Sequence, residues 1–306
     1  MAKILIATEK PFAKVAVDGI KEVAETAGLE VVLLEKYTEK AQLLAAVADV
    51  EAMIIRSDKI DNEVFDAAKN LKIVVRAGAG YDNVDLAAAT AHGGVVMNTP
   101  GQNSNAVAEL VFGMLVFAVR NFYNGKAGTE LKGKKLGILA YGNVGRRVAH
   151  IAKGFDMDVY AYDAYCPAAA IESDGVKAVS SQDELFEKCE VVSLHIPATA
   201  ETRQSINYAL VGKMPKGGVL VNTARKEVIN EPELLKLMQE RTDLKYVTDI
   251  MPEADADFRI LEGRYFSTPK KMGAQTAEAN INAGVAAAHQ IAAFFKDGCT
   301  KYQVNK

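Results

Sequence analysis

Short apolar runs rich in β-branched residues alternate with longer segments of helical period for nearly the whole length of the chain, and few folds admit that pattern. Parallel strands need long return connections, and helices supply them, so the expected class is α/β. In the first hundred residues strands are predicted at Lys3–Thr8, Leu29–Leu34, Ala52–Ser57, Leu71–Arg76 and Val95–Asn98, with helices such as Lys14–Ala27 and Leu86–His92 between them. The turn Thr99-Pro100-Gly101 and a long apolar helix over Ser104–Asn121 follow, and the polar segment Asn124–Gly133 leads into a second series. That series predicts strands at Lys135–Ala140, Met157–Tyr162, Val176–Val179, Glu190–Leu194, Gly218–Val221, Leu244–Thr248 and Tyr265–Thr268. An Ala-rich helix over Thr276–Phe295 closes the chain and could carry it back to the first unit. Its 306 residues suffice for about two domains.

Charge and cysteine usage narrow the function. With 36 Lys and Arg against 39 Asp and Glu, the net charge is −3, which leaves no global positive excess for nucleic acid or an anionic membrane. A small-molecule ligand is expected instead. Cys166, Cys189 and Cys299 are odd in number and far apart, fitting neither a disulfide framework nor a metal knuckle, so a reducing compartment and no metal are expected. Met1 to Thr8 has too few apolar residues for a secretory signal, and Ala106–Val119, 14 residues containing Glu109, falls short of the ~20 that cross a bilayer. A cytoplasmic, soluble protein is the expectation.

The strand at Lys135–Ala140 runs into Ala140-Tyr141-Gly142-Asn143-Val144-Gly145 and then a helix, the place where a Gly-rich dinucleotide fingerprint stands. Without a Cβ at Gly142 the backbone can approach a pyrophosphate, whose charge meets the free amides and dipole of the helix N-terminus. Gly145 would let helix and strand pack closely. Ala140 replaces the first glycine, which an alanine can do only with a negative φ. Asp163 ends the next strand, placed to accept hydrogen bonds from adenosine ribose hydroxyls and to repel a 2′-phosphate, so NAD is expected over NADP.

Five ordered blocks carry a resemblance. They are Arg76-Ala77-Gly78-Ala79-Gly80-Tyr81-Asp82-Asn83-Val84-Asp85; Asn98-Thr99-Pro100 with Ala108-Glu109-Leu110; Gly133-Lys134-Lys135-Leu136-Gly137-Ile138; Val192-Ser193-Leu194-His195-Ile196-Pro197; and Val221-Asn222-Thr223-Ala224-Arg225. Together they resemble the D-isomer-specific 2-hydroxyacid dehydrogenases, most closely the short-form phosphoglycerate-oxidising branch. The resemblance implies two doubly wound parallel-sheet domains: a Rossmann NAD domain, 101–282, inserted into a discontinuous flavodoxin-like substrate domain, 1–100 plus 283–306. Hydride transfer would occur in the cleft between them.

That family uses an arginine for the substrate carboxylate and a histidine acid/base oriented by a glutamate. Arg225 matches the arginine, whose planar fork can hold a carboxylate bidentately. The histidine is replaced: Thr268-Pro269-Lys270-Lys271-Met272-Gly273 puts Lys271 in its place, or Lys270 if an insertion precedes it. A lysine can donate a proton in reduction or, deprotonated, accept one in oxidation; its ordinary pKa near ~10.4 predicts an alkaline optimum for oxidation. Glu253 lies one position early and Ala254 fills the glutamate's slot. A loop deletion would still bring Glu253 to Lys271. Cofactor contacts implied by the resemblance are Tyr141, Gly142, Asn143, Val144, Gly145 and Asp163, then His195, Ile196 and Pro197, Thr223 and Ala224, Asp249, Gly273 and Ala274. His195 reads as a nicotinamide-side contact.

A phosphorylated hydroxy acid needs cations beyond Arg225. Arg56, Ser57 and Lys59 follow the third strand, Arg76 precedes the loop whose Gly78 and Ala79 amides would meet a carboxylate, and Asn103 is a polar neighbour. The expected reaction is NAD-dependent oxidation of D-3-phosphoglycerate, the entry to serine synthesis, by a homodimer joined through the Ser104–Asn121 helix. The end of the chain just after the closing helix leads one to expect no regulatory domain. Two other readings stand beside it, a glyoxylate or hydroxypyruvate reductase and a low-turnover NAD-sensing protein.

Overall fold

Twelve strands form, and every pairing between them is parallel. The computed structural model describes residues 1–306, which divide into two compact units, Met1–Asn103 with Gln275–Lys306, and Ser104–Ala274. The return crossing falls at Ala274, earlier than the expected 282, because Ala277–Asp297 is one unbroken helix and packs whole within the first unit.

The first unit contains β1 (Lys3–Thr8), α1 (Lys14–Thr26), β2 (Glu30–Glu35), α2 (Lys40–Val47), β3 (Ala52–Ile55), α3 (Asn62–Ala67), β4 (Ile73–Arg76), α4 (Leu86–Ala91) and β5 (Val95–Asn98). Its sheet runs β2-β1-β3-β4-β5, the flavodoxin-like order. Successive residues of β1 enter opposite faces: Ile4 and Ile6 join Ile20, Ile54 and Ala287, while Leu5 and Ala7 join Met53, Ile55 and Val64. Helices therefore cover both faces. α1 lies against Ala277–Asp297, and a Cβ on Gly19 would come 2.9 Å from Val285 Cγ2, so glycine there permits the close crossing.

The second unit continues with α5 (Ser104–Val119), β6 (Lys135–Leu139), α6 (Asn143–Gly154), β7 (Asp158–Tyr162), α7 (Ala168–Glu172), β8 (Lys177–Ala178), α8 (Gln182–Lys188) and β9 (Val191–Leu194). After these come α9 (Tyr208–Val211), β10 (Val219–Asn222), α10 (Glu231–Glu240), β11 (Lys245–Thr248), α11 (Asp255–Arg259) and β12 (Tyr265–Ser267); the helix Ala277–Asp297 is α12. The sheet order is β12-β11-β10-β9-β6-β7-β8, which reverses direction between β6 and β9, the Rossmann switch point. α5 ends in a turn the sequence did not announce. Asn121, Phe122 and Tyr123 all have φ near +54° (53°, 54° and 54°), held by the ammonium of Lys245, which donates to Ala118 O and Asn121 Oδ1 at 2.7 Å each. Burial pushes that lysine's pKa down, yet its position at the C-terminal end of α5 suits a cation. No helix is long and apolar enough to cross a membrane.

Candidate active site

In the second unit the Gly turn has the form an anion needs. Gly142 is the N-cap of α6 and no side chain caps the helix, so the amides of its first turn point past its end. A Cβ on Gly142 would meet nothing within 4 Å, whereas one on Gly145 would lie 2.5 Å from Ala140 O. Gly145 is thus required by packing, and Gly142 leaves the approach open for a pyrophosphate. Asn143 and Val144 supply the first amides. Ala140 departs from expectation: its φ is +76°, so the turn keeps the left-handed shape of the glycine it replaces and the alanine carries the strain.

Two of the residues expected at the cofactor also bond within the protein. Tyr141 is only 2% exposed, its hydroxyl donates to Asp174 Oδ2 at 3.1 Å, and its N–H is taken by Asp163 Oδ2 at 2.7 Å. Burial and the neighbouring Asp174 push its phenol up to about 12. Asp163 also accepts from the N–H groups of Tyr165 and Cys166 through Oδ1, at 2.7 and 2.9 Å. Its carboxylate therefore locks the end of β7 to the Gly turn, with acceptor capacity left on its oxygens.

Further along the sheet, His195 follows β9 with its N–H on Leu139 O and its Nε2 3.0 Å from Ser193 Oγ. Burial pushes the imidazole down to about 3, so it stays neutral at physiological pH. Ile196 is half-buried, while Pro197 is exposed and its carbonyl accepts from Thr202 Oγ1. At the end of β10, fully buried Asn222 stitches the next turn with both ends of its amide, accepting from Ala224 N at 3.0 Å and donating to Arg225 O at 2.9 Å. Within that turn Thr223 is 6% exposed and its Oγ1 has no partner, as suits a group that meets a ligand.

Arg225 Nη1 donates to Ala224 O at 2.9 Å, and Lys271 Nζ lies 3.4 Å from the same oxygen. Two cations from β10 and from the segment after β12 thus converge on one atom. Neighbouring Lys270 is exposed. The Lys271 loop is held by Asp249, fully buried at the end of β11, whose carboxylate accepts from Thr268 Oγ1 (2.9 Å), Met272 N (2.7 Å) and Gly273 N (2.7 Å). The residue expected at the cofactor thus holds the loop through both its oxygens. A Cβ on Gly273 would come 2.9 Å from Asp249 Oδ2, which explains the glycine, and Ala274 beside it is half-buried.

Glu253 is not the expected partner of Lys271. Its side chain is 81% exposed and pairs with Lys226 at 2.8 Å, which lowers the pKa of the carboxyl and raises that of the lysine. Lys226, one residue past Arg225, is a competing cation that the sequence reading overlooked. Asn222 and Thr268 were missed as well, although both lie inside recognised blocks.

In the first unit, Arg56 is anchored. Its guanidinium donates to Lys10 O and Pro11 O at 3.1 Å each and to Asn280 Oδ1 at 2.6 Å, above the Phe12 ring, and burial lowers its pKa. Arg76 Nε donates to Arg56 O at 2.9 Å, and its guanidinium lies over the next loop. A Cβ on Gly78 would land 1.5 Å from Arg76 Nη1, and φ there is +151°, so only glycine serves. Ala79, Ser57 and Lys59 are exposed, and Asn103 is half-buried.

Comparison with known proteins identifies relatives of this chain. Residues 116–265 match the sequence model for the NAD-binding domain of D-isomer-specific 2-hydroxyacid dehydrogenases. The chain is 34% identical over 291 residues to a D-3-phosphoglycerate dehydrogenase of Methanocaldococcus jannaschii, covering 90% of this chain and 55% of that protein. It is 34% identical to a hydroxypyruvate reductase of Thermotoga maritima, covering 86% of this chain and 90% of the other. A crystal structure of NAD+-bound 3-phosphoglycerate dehydrogenase from Entamoeba histolytica superposes with a TM-score of 0.88 at 49% identity, covering 100% of this chain and 99% of that one. The chain spans about half the length of the curated phosphoglycerate dehydrogenases it matches.

Proposed function

The chain belongs to the D-isomer-specific 2-hydroxyacid dehydrogenase family, and from that we propose that it oxidises D-3-phosphoglycerate to 3-phosphohydroxypyruvate with NAD. The convergence of Arg225 and Lys271 on the Ala224 carbonyl carries this reading. The Arg225 fork suits the substrate carboxylate and would polarise the C2 oxygen beside it. Lys271, in its neutral form, takes the C2 hydroxyl proton in oxidation; as the ammonium it returns a proton to the C2 oxygen in reduction. NAD, when bound, supplies the acceptor for the hydrogen and electron pair that leave C2. Gly142, Asn143, Val144 and the Thr223 hydroxyl are the groups that suit it. Arg76 and exposed Lys59, in the first unit, are the cations offered to the phosphate.

One observation favours a second reading. Arg56 already gives three hydrogen bonds to the protein, which weakens the case for a phosphate there, and reduction of unphosphorylated hydroxypyruvate needs no such cation. NADH consumption with phosphohydroxypyruvate, hydroxypyruvate, glyoxylate and pyruvate decides between them. The proposal expects preference for the phosphorylated acceptor and loss of turnover in Lys271→Ala with NADH binding retained. Equal or better turnover of hydroxypyruvate would establish the second reading, and full activity in Lys271→Ala would remove the lysine's role.

A further inference from the structure

Along the flank of α6, beside Asp174 in the connection from α7 to β8, runs a groove of about 430 Å³. Arg146, Arg147, His150 and Lys153 line it, set at positions that share one side of the helix over ~10 Å. Asp174 is the single acid on its wall. That residue organises the groove rather than cancelling it: its carboxylate pairs with Arg146 and accepts from the Tyr141 hydroxyl, while its backbone carbonyl accepts from Lys153. Arg146 also stacks over the ring of Tyr141, 4.8 Å from its centroid, so the cationic wall rests on a buried aromatic. Arg147 and His150 make no hydrogen bond or ion pair. In a chain of net charge −3, this concentration of positive groups is local.

We propose that this groove binds a small molecule carrying two or more phosphate groups. Guanidinium forks recognise phosphate oxygens bidentately, and the strip is long enough for more than one phosphate. The volume lies in the range of small-ligand sites. Asn143 lines the groove and also opens α6, so a ligand held here acts on the helix whose first turn suits the dinucleotide. Each would change the affinity of the other by the same factor. That coupling rests on the NAD reading; the groove itself does not.

The test is calorimetric titration of the full chain with inorganic tripolyphosphate near 0.15 M salt, with and without saturating NADH to block the first turn of α6. Wild type is expected to bind one equivalent in both states, and Arg147→Glu/His150→Glu, checked for fold by circular dichroism, to lose at least ~10-fold in affinity. Turnover without polyphosphate stays unchanged in that variant. Absence of binding to the NADH-saturated protein, or equal affinity in the variant, overturns the proposal. Should NADH itself fail to bind, the contrast between wild type and variant still reads the groove while the dinucleotide reading falls.

Discussion

Replacing Asp249 by asparagine isolates the contribution of the loop that carries Lys271. The native carboxylate is fully buried and accepts three hydrogen bonds, two of them from the backbone N–H groups of Met272 and Gly273. Asparagine keeps one acceptor oxygen. Whichever way its amide turns, one of those two N–H groups faces an NH2 donor, whereas the Thr268 hydroxyl can rotate to accept. A buried donor left unsatisfied costs about 1–3 kcal/mol, and the surviving bonds lose their charged acceptor. The expected destabilisation is about 2–3 kcal/mol in urea unfolding. Because the damage lies at residues next to Lys271, kcat should fall by ~10–100-fold, equivalent to about 1.4–2.7 kcal/mol of transition-state positioning, while KM for NADH changes by less than ~3-fold. Steady-state NADH oxidation with phosphohydroxypyruvate measures both. An Asp249→Asn protein with kcat within twofold of wild type refutes the positioning role. Loss of NADH affinity as large as the loss of kcat would put Asp249 back at the cofactor.

Other perturbations test other parts of the site. Gly78→Ala forces a Cβ into the Arg76 guanidinium at φ +151°, so KM for the acceptor should rise at least ~10-fold with NADH affinity unchanged, measured by steady-state kinetics. Ala140→Gly relieves a left-handed alanine and should stabilise the protein by about 1 kcal/mol, read as a higher urea midpoint at unchanged slope. Burial pushes the His195 imidazole down to about 3 from its ordinary 6.5, so the unfolded chain takes up its proton first. Its contribution is intact above pH 6.5 and is lost as pH falls from there toward 3; His195→Gln should flatten the stability profile across that window, measured by urea unfolding at each pH.

The fold was legible because each strand is a short apolar run bounded by turn residues. Lys3–Thr8 and Val95–Asn98 have the expected limits, and most other strands differ by one or two residues where the ends fray. Within the Gly turn, the packing role of Gly145 could be read because it is steric and local. Bonds that form only once the chain has folded could not. Asp163 follows a strand, as a ribose ligand should, but the N–H groups of Tyr141, Tyr165 and Cys166 reach its oxygens. Ala140 broke a rule of backbone preference because the turn is dictated by both flanking elements, and tertiary packing overrides a preference of about 1 kcal/mol. Arg56 looked free in sequence, yet Asn280, 224 positions later, holds it.

On the proposed role of Lys271 as acid/base, one change in chemistry accounts for both the missing histidine and the displaced glutamate. A histidine acid/base requires a partner on its second ring nitrogen, since that partner sets the tautomer and the ring's orientation. An ammonium has three equivalent donors and no tautomer to set, so the lysine needs no such carboxylate. A carboxylate beside it would also hold the charged form, opposing proton uptake from the substrate hydroxyl in oxidation. Here Glu253 pairs with Lys226, while Lys271 lies 3.4 Å from the Ala224 carbonyl on the loop that Asp249 holds. Lys271→His alone should therefore give an enzyme at least ~10-fold slower than wild type, because Glu253 is paired with Lys226 and Ala254 fills the glutamate's slot. Adding Ala254→Glu, which restores an acid in the expected slot, should recover part of that rate and move the oxidative pH optimum toward neutrality. The comparison is of pH–rate profiles for wild type, single and double variants. A single Lys271→His variant as fast as wild type would show that the two changes are independent.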